Sequence, residues 1–237
     1  MIERIKVNLN DPETESAKEE LSFLDHVVLR HKPSLQGNPE AKAKMAELIG
    51  VSVFNIEQSA DVAWVGDKIV AISDAPIGKA YLADMMVHTL YVSHEPTELA
   101  RNIPFMLALP EENRVKLLSR GSGLVVAFRK VAAGYEHEIV YYDTDSLQLH
   151  ELAEVEKIIE SVDFLLFATD GGMELLRNKV FSGDHNMMDM ENFAEFLGDE
   201  GDPLLALTEK LNVFEQTVVD DPSQDIFDDA TLVLVRL

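Results

Sequence analysis

Four aspartates stand where predicted strands begin or end, and carboxylates in such places can hold metal ions. Asp74 and Asp170 each follow an apolar run, whereas Asp61 and Asp228 each precede one. If these strand ends meet at one edge of a layered fold, the carboxylates repel one another unless cations lie between them. Such a site suits Mg²⁺ or Mn²⁺, and two ions can activate water toward a phosphoryl group.

The stretch DFLLFATDGGMELL, residues 163–176, combines a buried strand with one of these aspartates. Its continuous apolar run, Phe164 to Phe167, predicts a strand covered on both faces. Gly171 and Gly172 predict a sharp turn that lets a ligand approach, with a helix starting near Met173. An aspartate before a glycine turn is more often a plain turn residue, so this stretch alone does not establish a metal site.

The amino-acid composition limits the classes of protein to which the chain can belong. The chain has 237 residues, 43 acidic and 20 basic, and its formal net charge is −23. Such a surface repels nucleic acid and anionic membranes. The absence of cysteine excludes disulfides, thiolate metal sites and cysteine nucleophiles. Since no stretch has the character of a signal peptide or a membrane span, we expect a cytoplasmic protein.

Hydrophobic periodicity divides the chain into a helical N-terminal lead-in, residues 1–50, and a larger unit, residues 51–237. Helices are predicted at residues 15–29, 41–49, 80–92 and 203–214, and a helical stretch broken at Pro104 and Pro110 is predicted at 96–118. Strands are predicted at residues 1–9, 51–58, 61–66, 68–74, 124–131, 138–143, 146–152 and 164–167, and a terminal strand is predicted around the apolar run 232–235. Residues 154–160 are interpreted as helix or turn, and residues 178–203 as an acidic loop. This order predicts an α+β fold.

Three blocks resemble the metal-dependent serine/threonine protein phosphatases, the PPM superfamily, and within it the bacterial SpoIIE-like branch. They are SADVAWVGDKIVAISDAPIGKAYLADMMVHTL from residue 59, LLFATDGGMELL from residue 165 and DDATLVLVRL from residue 228. Their order and spacing match that branch over about residues 51–237. The resemblance implies a four-layer α/β/β/α sandwich of two mostly antiparallel sheets with flanking helices.

By position, the resemblance implies a site for two ions, Mn²⁺ or Mg²⁺. Asp74 would bridge the two ions, and the backbone carbonyl of Ala75 would ligate one of them. Asp170 and Asp228 would hold the second ion, while Asp61 would act through a metal-bound water. Asp61 and Asp74 are therefore the expected catalytic residues.

The chain departs from the family pattern in three places. The turn at residues 75–78 is one residue longer than usual, and Ala80 replaces its second glycine. A Gly-His-Pro-Pro-type segment is missing upstream of the second block. No arginine near the first block is an obvious phosphate clamp, although Lys79 and Arg129 are candidate substitutes. Asp229 is not expected to be a ligand, because the first acid of its pair has that role.

The resemblance implies a phosphatase that hydrolyses phosphoserine or phosphothreonine on a protein partner in bacterial signalling. One alternative is an interaction module that keeps the fold, binds metal weakly and works by contact. A second alternative is a hydrolase of small phosphoesters, which would need a closed pocket. Residues 1–50 are the expected site of homodimer formation, and no nucleic acid or membrane partner is expected.

Overall fold

The computed structural model describes residues 24–31, 62–66, 68–73, 85–86, 104–112, 114–144, 155–226 and 228–237. Its strands are β1 (Asp25–His31), β2 (Val62–Val65), β3 (Val70–Ser73), β4 (Phe105–Glu111), β5 (Arg114–Arg120), β6 (Gly123–Val131), β7 (Gly134–Asp143), β8 (Val155–Glu160), β9 (Phe164–Ala168) and β10 (Ala230–Arg236). Its helices are α1 (Asp170–Arg177), α2 (Lys179–Ser182), α3 (Met190–Asp199) and α4 (Pro203–Asp220), followed by a 3₁₀ turn (Pro222–Gln224). Met85 and Met86 are also helical.

The strands form two antiparallel sheets of five strands each. The first sheet has the order β1-β10-β9-β6-β7, and the second has the order β2-β3-β4-β5-β8. An apolar cluster that includes Val125, Phe167 and Val233 lies between the two sheets. A second cluster joins the outer face of the first sheet to helices α1 to α4, where Phe128 stacks on Phe193 at 5.3 Å between ring centroids. The predicted α+β sandwich is therefore confirmed.

Strands β9 and β10 lie in the middle of the first sheet, and both were expected from their sequence. All five residues of β9 are buried, as are six of the seven residues of β10. Both faces of this sheet are covered, one by the other sheet and one by helices, which explains apolar runs without alternation. Strands β2, β3 and β6 also fall where they were predicted.

Four predicted elements are wrong. Residues 25–29 are not helical but belong to strand β1, which pairs with β10 over its whole length. The helix predicted at 96–118 is replaced, where it is described, by the hairpin of β4 and β5. Residues 155–160 form the edge strand β8, and the predicted loop at 178–203 contains helices α2 and α3. In each case tertiary pairing or packing decides between local conformations that the sequence leaves close in energy.

The division at residue 50 stays a prediction, while strand β1 belongs to a sheet of the sandwich. The rest of residues 1–50 lies outside the described ranges, as do the predicted strands at 51–58 and 146–152. No helix in the described part of the chain combines the length and apolar character needed to cross a bilayer.

Candidate metal centre

The structure brings together the two predicted ligands that it describes, Asp170 and Asp228. Strands β9 and β10 are antiparallel neighbours, and Ala168 at the end of β9 pairs with Leu232 near the start of β10. Asp170 follows β9 as the first residue of helix α1, and Asp228 precedes β10. Both carboxylates therefore lie at one end of the sandwich, which we call the carboxylate edge.

Two threonines tie the segments that carry these aspartates. The backbone N–H of Thr231 donates to Oγ1 of Thr169 at 3.1 Å, and the N–H of Thr169 donates to the carbonyl of Thr231 at 3.1 Å. The same Oγ1 accepts from the N–H of Gly172 at 3.3 Å and so caps helix α1. Thr169 is fully buried, so these bonds join two distant stretches of chain without competition from water.

Gly171 and Gly172 have a different role from the one predicted. Both lie inside helix α1 and neither has a positive φ, so they do not form a turn. A Cβ on Gly171 would lie 2.1 Å from the carbonyl oxygen of Asp229, and one on Gly172 would lie 2.4 Å from that of Thr231. These distances are far below van der Waals contact. The glycine pair therefore lets the helix pack directly on the backbone that carries Asp228.

The carboxyl group of Asp228 has a pKa raised from 3.8 to about 6. Partial loss of hydration among the surrounding protein atoms is the main cause, and the negative charge of Asp170 is the second. More than a third of the residue stays accessible to solvent, so water still screens this repulsion. The N–H of Asp229 donates to Oδ1 of Asp228 at 2.8 Å, which opposes the rise of the pKa.

Glu174 is an acidic neighbour that the sequence analysis did not single out. It lies four residues after Asp170 on helix α1, hence on the same face, and its charge also raises the pKa of Asp228. The spacing of four residues in a predicted helix was the available signal. With Asp229, four carboxylates therefore act on this one edge.

This group of side chains fits a divalent cation. Carboxylate oxygens are hard ligands, and a cation between Asp170 and Asp228 would remove the repulsion that raises the pKa of Asp228. The hydroxyl of Thr231 is buried at the same edge with no hydrogen-bond partner in the described ranges, so it can bind a water molecule there. Within those ranges, no group of three histidine or acidic side chains is arranged to hold a metal on its own.

The remaining predicted ligands, Asp61, Asp74 and Ala75, lie outside the described residues. Their flanking strands are described, and Val62 pairs with Ser73 across β2 and β3. The chain therefore enters β2 and leaves β3 at the same end of the second sheet.

That end of the second sheet faces the carboxylate edge. Ile72 pairs with Met106, and a Cβ on Gly123 would lie 2.6 Å from the sulfur of Met106 and 3.1 Å from the carbonyl oxygen of Ala168. Ala168 is two residues before Asp170. The backbone thus places the ends of β2, β3 and β9 near one another, whereas the positions of Asp61 and Asp74 stay a prediction.

Arg129 is not a phosphate clamp. It follows Phe128, which pairs with Phe164 at the opposite end of β9, roughly 13 Å along the strand from Ala168. Its guanidinium donates to Glu138 Oε2 at 2.7 Å and to the carbonyl of Glu160 at 2.9 Å. Lys79, the other candidate, lies outside the described ranges.

Two other arginines lie near the carboxylate edge. Arg30 pairs with Thr231 across β1 and β10, and Arg120 ends β5 opposite Phe105. Burial is the main cause that raises the pKa of the Tyr141 phenol to about 12. Arg120 lies close enough to Tyr141 for its positive charge to act in the opposite direction. The sequence offered no signal for either arginine, because their positions depend on strand register.

No family model matches the chain, and no curated protein matches it. Several solved structures are similar to the chain. A bacterial serine phosphatase carrying a point substitution aligns with TM-score 0.53 and 11% identity, covering 91% of this chain and 99% of that one. A serine/threonine phosphatase from Staphylococcus aureus aligns with TM-score 0.52 and 11% identity, covering 94% and 99%. The catalytic domain of the serine/threonine protein phosphatase PstP, in complex with two manganese ions, aligns with TM-score 0.50 and 12% identity, covering 90% and 98%. The chain therefore has the fold of bacterial serine/threonine phosphatases.

Proposed function

We propose that this protein is a metal-dependent phosphatase that hydrolyses phosphoserine or phosphothreonine on a protein partner. The observation that supports this most is the joining of Asp170 and Asp228 by the interlocked segments 169–172 and 228–231. Two carboxylates are held side by side there at an energetic cost that a bound cation removes. The manganese ions of PstP, which has the same fold, support metal dependence.

In this proposal the protein supplies ligands, orientation and charge. Bound Mn²⁺ or Mg²⁺ supplies Lewis acidity and activates water as the nucleophile. Asp170 and Asp228 hold one ion, Asp74 and the carbonyl of Ala75 hold the other, and Asp61 orients water at the site. The threonine and glycine contacts fix the two described ligands before substrate binds, so no reorganisation is needed at the moment of reaction.

The cationic groups that would bind the phosphate are Arg30 and Arg120. Both lie near the carboxylate edge, and a guanidinium suits the geometry of a phosphoryl group. A phosphoprotein partner in bacterial cytoplasmic signalling, and a homodimer formed through residues 1–50, are part of the proposal.

The test is hydrolysis of p-nitrophenyl phosphate by the full chain, with and without millimolar Mn²⁺, together with calorimetry of Mn²⁺ binding. We expect turnover that requires Mn²⁺ and stops with chelator. Asp170→Asn should lower turnover at least a hundredfold while the protein stays folded. Asp184→Asn removes an exposed acid elsewhere and serves as the matched control, with unchanged turnover.

The two alternatives give different results. Mn²⁺ binding that Asp170→Asn abolishes, without turnover on this substrate or on phosphopeptides, would favour the interaction module. Full activity of Asp170→Asn would show that the ligand assignment is wrong. Turnover of small phosphoesters with none on phosphopeptides would favour the small-molecule hydrolase.

A further inference from the structure

A buried histidine lies beside the loop that carries Asp228. His31 is the last residue of strand β1, and it pairs with Ala230, the first residue of β10. Only 7% of its side chain is exposed. Its ring contacts Phe214 of helix α4 edge-on, at 4.9 Å between ring centroids. It therefore lies where β1, α4 and the approach to β10 meet.

The histidine makes a hydrogen bond with Asp225, a residue 194 positions later in the chain. Nε2 lies 2.7 Å from Oδ1 of Asp225, and the aspartate side chain is 11% exposed. A carboxylate can only accept, so Nε2 is the donor. On its other side, Nδ1 lies 3.7 Å from Oε1 of Glu215 on helix α4. These two carboxylates are the acidic groups that face the ring among the described residues.

This arrangement connects both ends of the segment that presents Asp228. Asp225 lies three residues before Asp228, and Ala230 lies two residues after it. His31 contacts the first through its side chain and the second through strand pairing. Oδ1 of Asp225 also accepts from the N–H of Ile226 at 2.9 Å, and Ile226 is buried in the core. The described residues at the two ends of this segment, Asp225 and Ala230, are thus both joined to one residue of another strand.

A residue that served only to fill the core would not need to be a histidine with a carboxylate partner. Burying its N–H and the Asp225 carboxylate costs free energy unless the two meet. An apolar residue in contact with Phe214 would fill the same space without that cost. The hydrogen bond instead fixes an orientation, because its geometry is satisfied by only one placement of Asp225 relative to β1.

We propose that His31 is a positioning residue, which holds the loop before β10 in the conformation that presents Asp228 to the metal. This inference rests on the proposed function for the role of Asp228. The structural part, control of the loop by His31, can be tested without metal. In this proposal His31 acts through Asp225 and contacts neither the substrate nor the metal ion.

The test compares His31→Phe, His31→Gln and Arg236→Ala in the full chain. Phenylalanine keeps the packing against Phe214 and removes the donor, whereas glutamine places an amide N–H near the position of Nε2. Arg236 pairs with Asp25 at the other end of the same two strands and is the control for weaker β1–β10 pairing. The readouts are Mn²⁺ affinity by calorimetry and hydrogen exchange of peptides covering 225–230 in chelator.

We expect His31→Phe to weaken Mn²⁺ binding about tenfold, as loss of a residue that orients a metal ligand does. It should also speed exchange in segment 225–230 about tenfold. His31→Gln should recover most of both losses, and Arg236→Ala should change neither. Unchanged exchange in His31→Phe, or equal losses in the phenylalanine and glutamine variants, would overturn the proposal.

The exchange experiment separates this inference from the proposed function. If the unaltered protein bound no Mn²⁺, the metal site would be wrong. Faster exchange in His31→Phe, reversed in His31→Gln, would then still show that His31 fixes the loop. Normal Mn²⁺ binding by all three variants would instead overturn the positioning role and leave the metal site intact.

Discussion

The two ends of strand β10 are joined to their neighbours by different means. At the carboxylate edge, β9 and β10 are joined by buried hydrogen bonds between Thr169 and Thr231, and helix α1 lies against the backbone at Asp229. At the far edge, Arg236 of β10 forms ion pairs with Asp25 at 2.5 Å and with Asp202 at 3.3 Å, all partly exposed.

The difference shows where this fold requires precision. Backbone contacts in a buried environment allow one geometry, whereas exposed ion pairs are screened and can rearrange at little cost. A metal site needs its ligands fixed to within about half an ångström. The rigid contacts lie at the edge where Asp170 and Asp228 meet, and the adjustable ones lie at the other end.

The largest effect expected at the carboxylate edge is that of Gly171→Ala. The added methyl would meet the carbonyl of Asp229 at 2.1 Å, so the helix and strand must separate. We expect a loss of about 3 kcal/mol or more in the free energy of unfolding, measured by urea denaturation. Mn²⁺ affinity should fall as well, because Asp170 moves with the helix.

Gly201→Ala is the matched control for that prediction. Nothing lies within 4 Å of a Cβ at this position and its φ is not positive, so the substitution should change stability by less than about 0.5 kcal/mol. Equal stability of the two variants would show that the close approach at Gly171 does not matter.

A smaller loss is expected for Thr169→Val. Valine fills the same volume but leaves the N–H groups of Gly172 and Thr231 without their acceptor. Buried donors without partners cost about 1–3 kcal/mol, so thermal unfolding should occur several degrees lower. Thr169→Ser keeps the oxygen and should recover most of that loss. If serine is no better than valine, packing of the methyl group is what matters.

Asp228→Asn tests whether the carboxylate edge carries a stability cost that the far edge does not. The pKa of Asp228 is about 6 in the native state and 3.8 in the unfolded state. Proton binding by Asp228 therefore stabilises the native state fully at pH values below 3.8, and this stabilisation is lost as the pH rises through 6. In chelator at pH 7.5, the variant should therefore unfold about 1–3 °C above the unaltered protein, since screening limits the repulsion to under ~1 kcal/mol. At pH 4 the two midpoints should converge.

With millimolar Mn²⁺ the order should reverse, because the cation stabilises only the protein that binds it. Differential scanning fluorimetry of both proteins in chelator at pH 7.5, in chelator at pH 4 and with Mn²⁺ at pH 7.5 measures all six midpoints. A variant that is less stable than the unaltered protein in chelator at pH 7.5 would contradict the repulsion between Asp228 and Asp170.

The smallest effect belongs to the far edge. Arg236→Ala removes ion pairs to Asp25 and Asp202 that are exposed to solvent, together with a cation–π contact over Phe164 at 5.3 Å. We expect a loss of about 0.5–1 kcal/mol, reduced further in 0.5 M salt, measured by urea denaturation. A loss as large as that of Thr169→Val would erase the distinction between the two edges.

The two central strands were predictable from sequence, since each is a short, mostly apolar run next to an acidic residue at the carboxylate edge. Phe164 to Phe167 and the run before Arg236 are examples. The hairpin of β4 and β5 was not predictable, because the apolar run of β4 fits a buried helix as well as a strand and periodicity alone does not separate the two. Strand β1 depends on its pairing with β10, which is distant in sequence and leaves no local signal.

The same limit applies to the site. Asp170 and Asp228 could be paired from motif order, whereas the packing role of Gly171 required the strand carbonyl beside it. Glu174 was accessible from helical spacing and was overlooked. The contact of His31 with Asp225 could not be predicted, because only strand register and the path of helix α4 bring them together.

Strand β10 lies between β1 and β9, although it is the last of the ten strands to be synthesised. While residues 228–236 are still inside the ribosome, β1 lacks β10, its neighbour among the described strands, and Asp170 lacks the nearby carboxylate of Asp228. A growing chain therefore cannot assemble the carboxylate pair, although the second sheet and the β9-β6-β7 part of the first sheet do not depend on β10. The proposed metal site therefore cannot form before residues 228–236 have left the ribosome, so a copy of the chain that ends earlier lacks it.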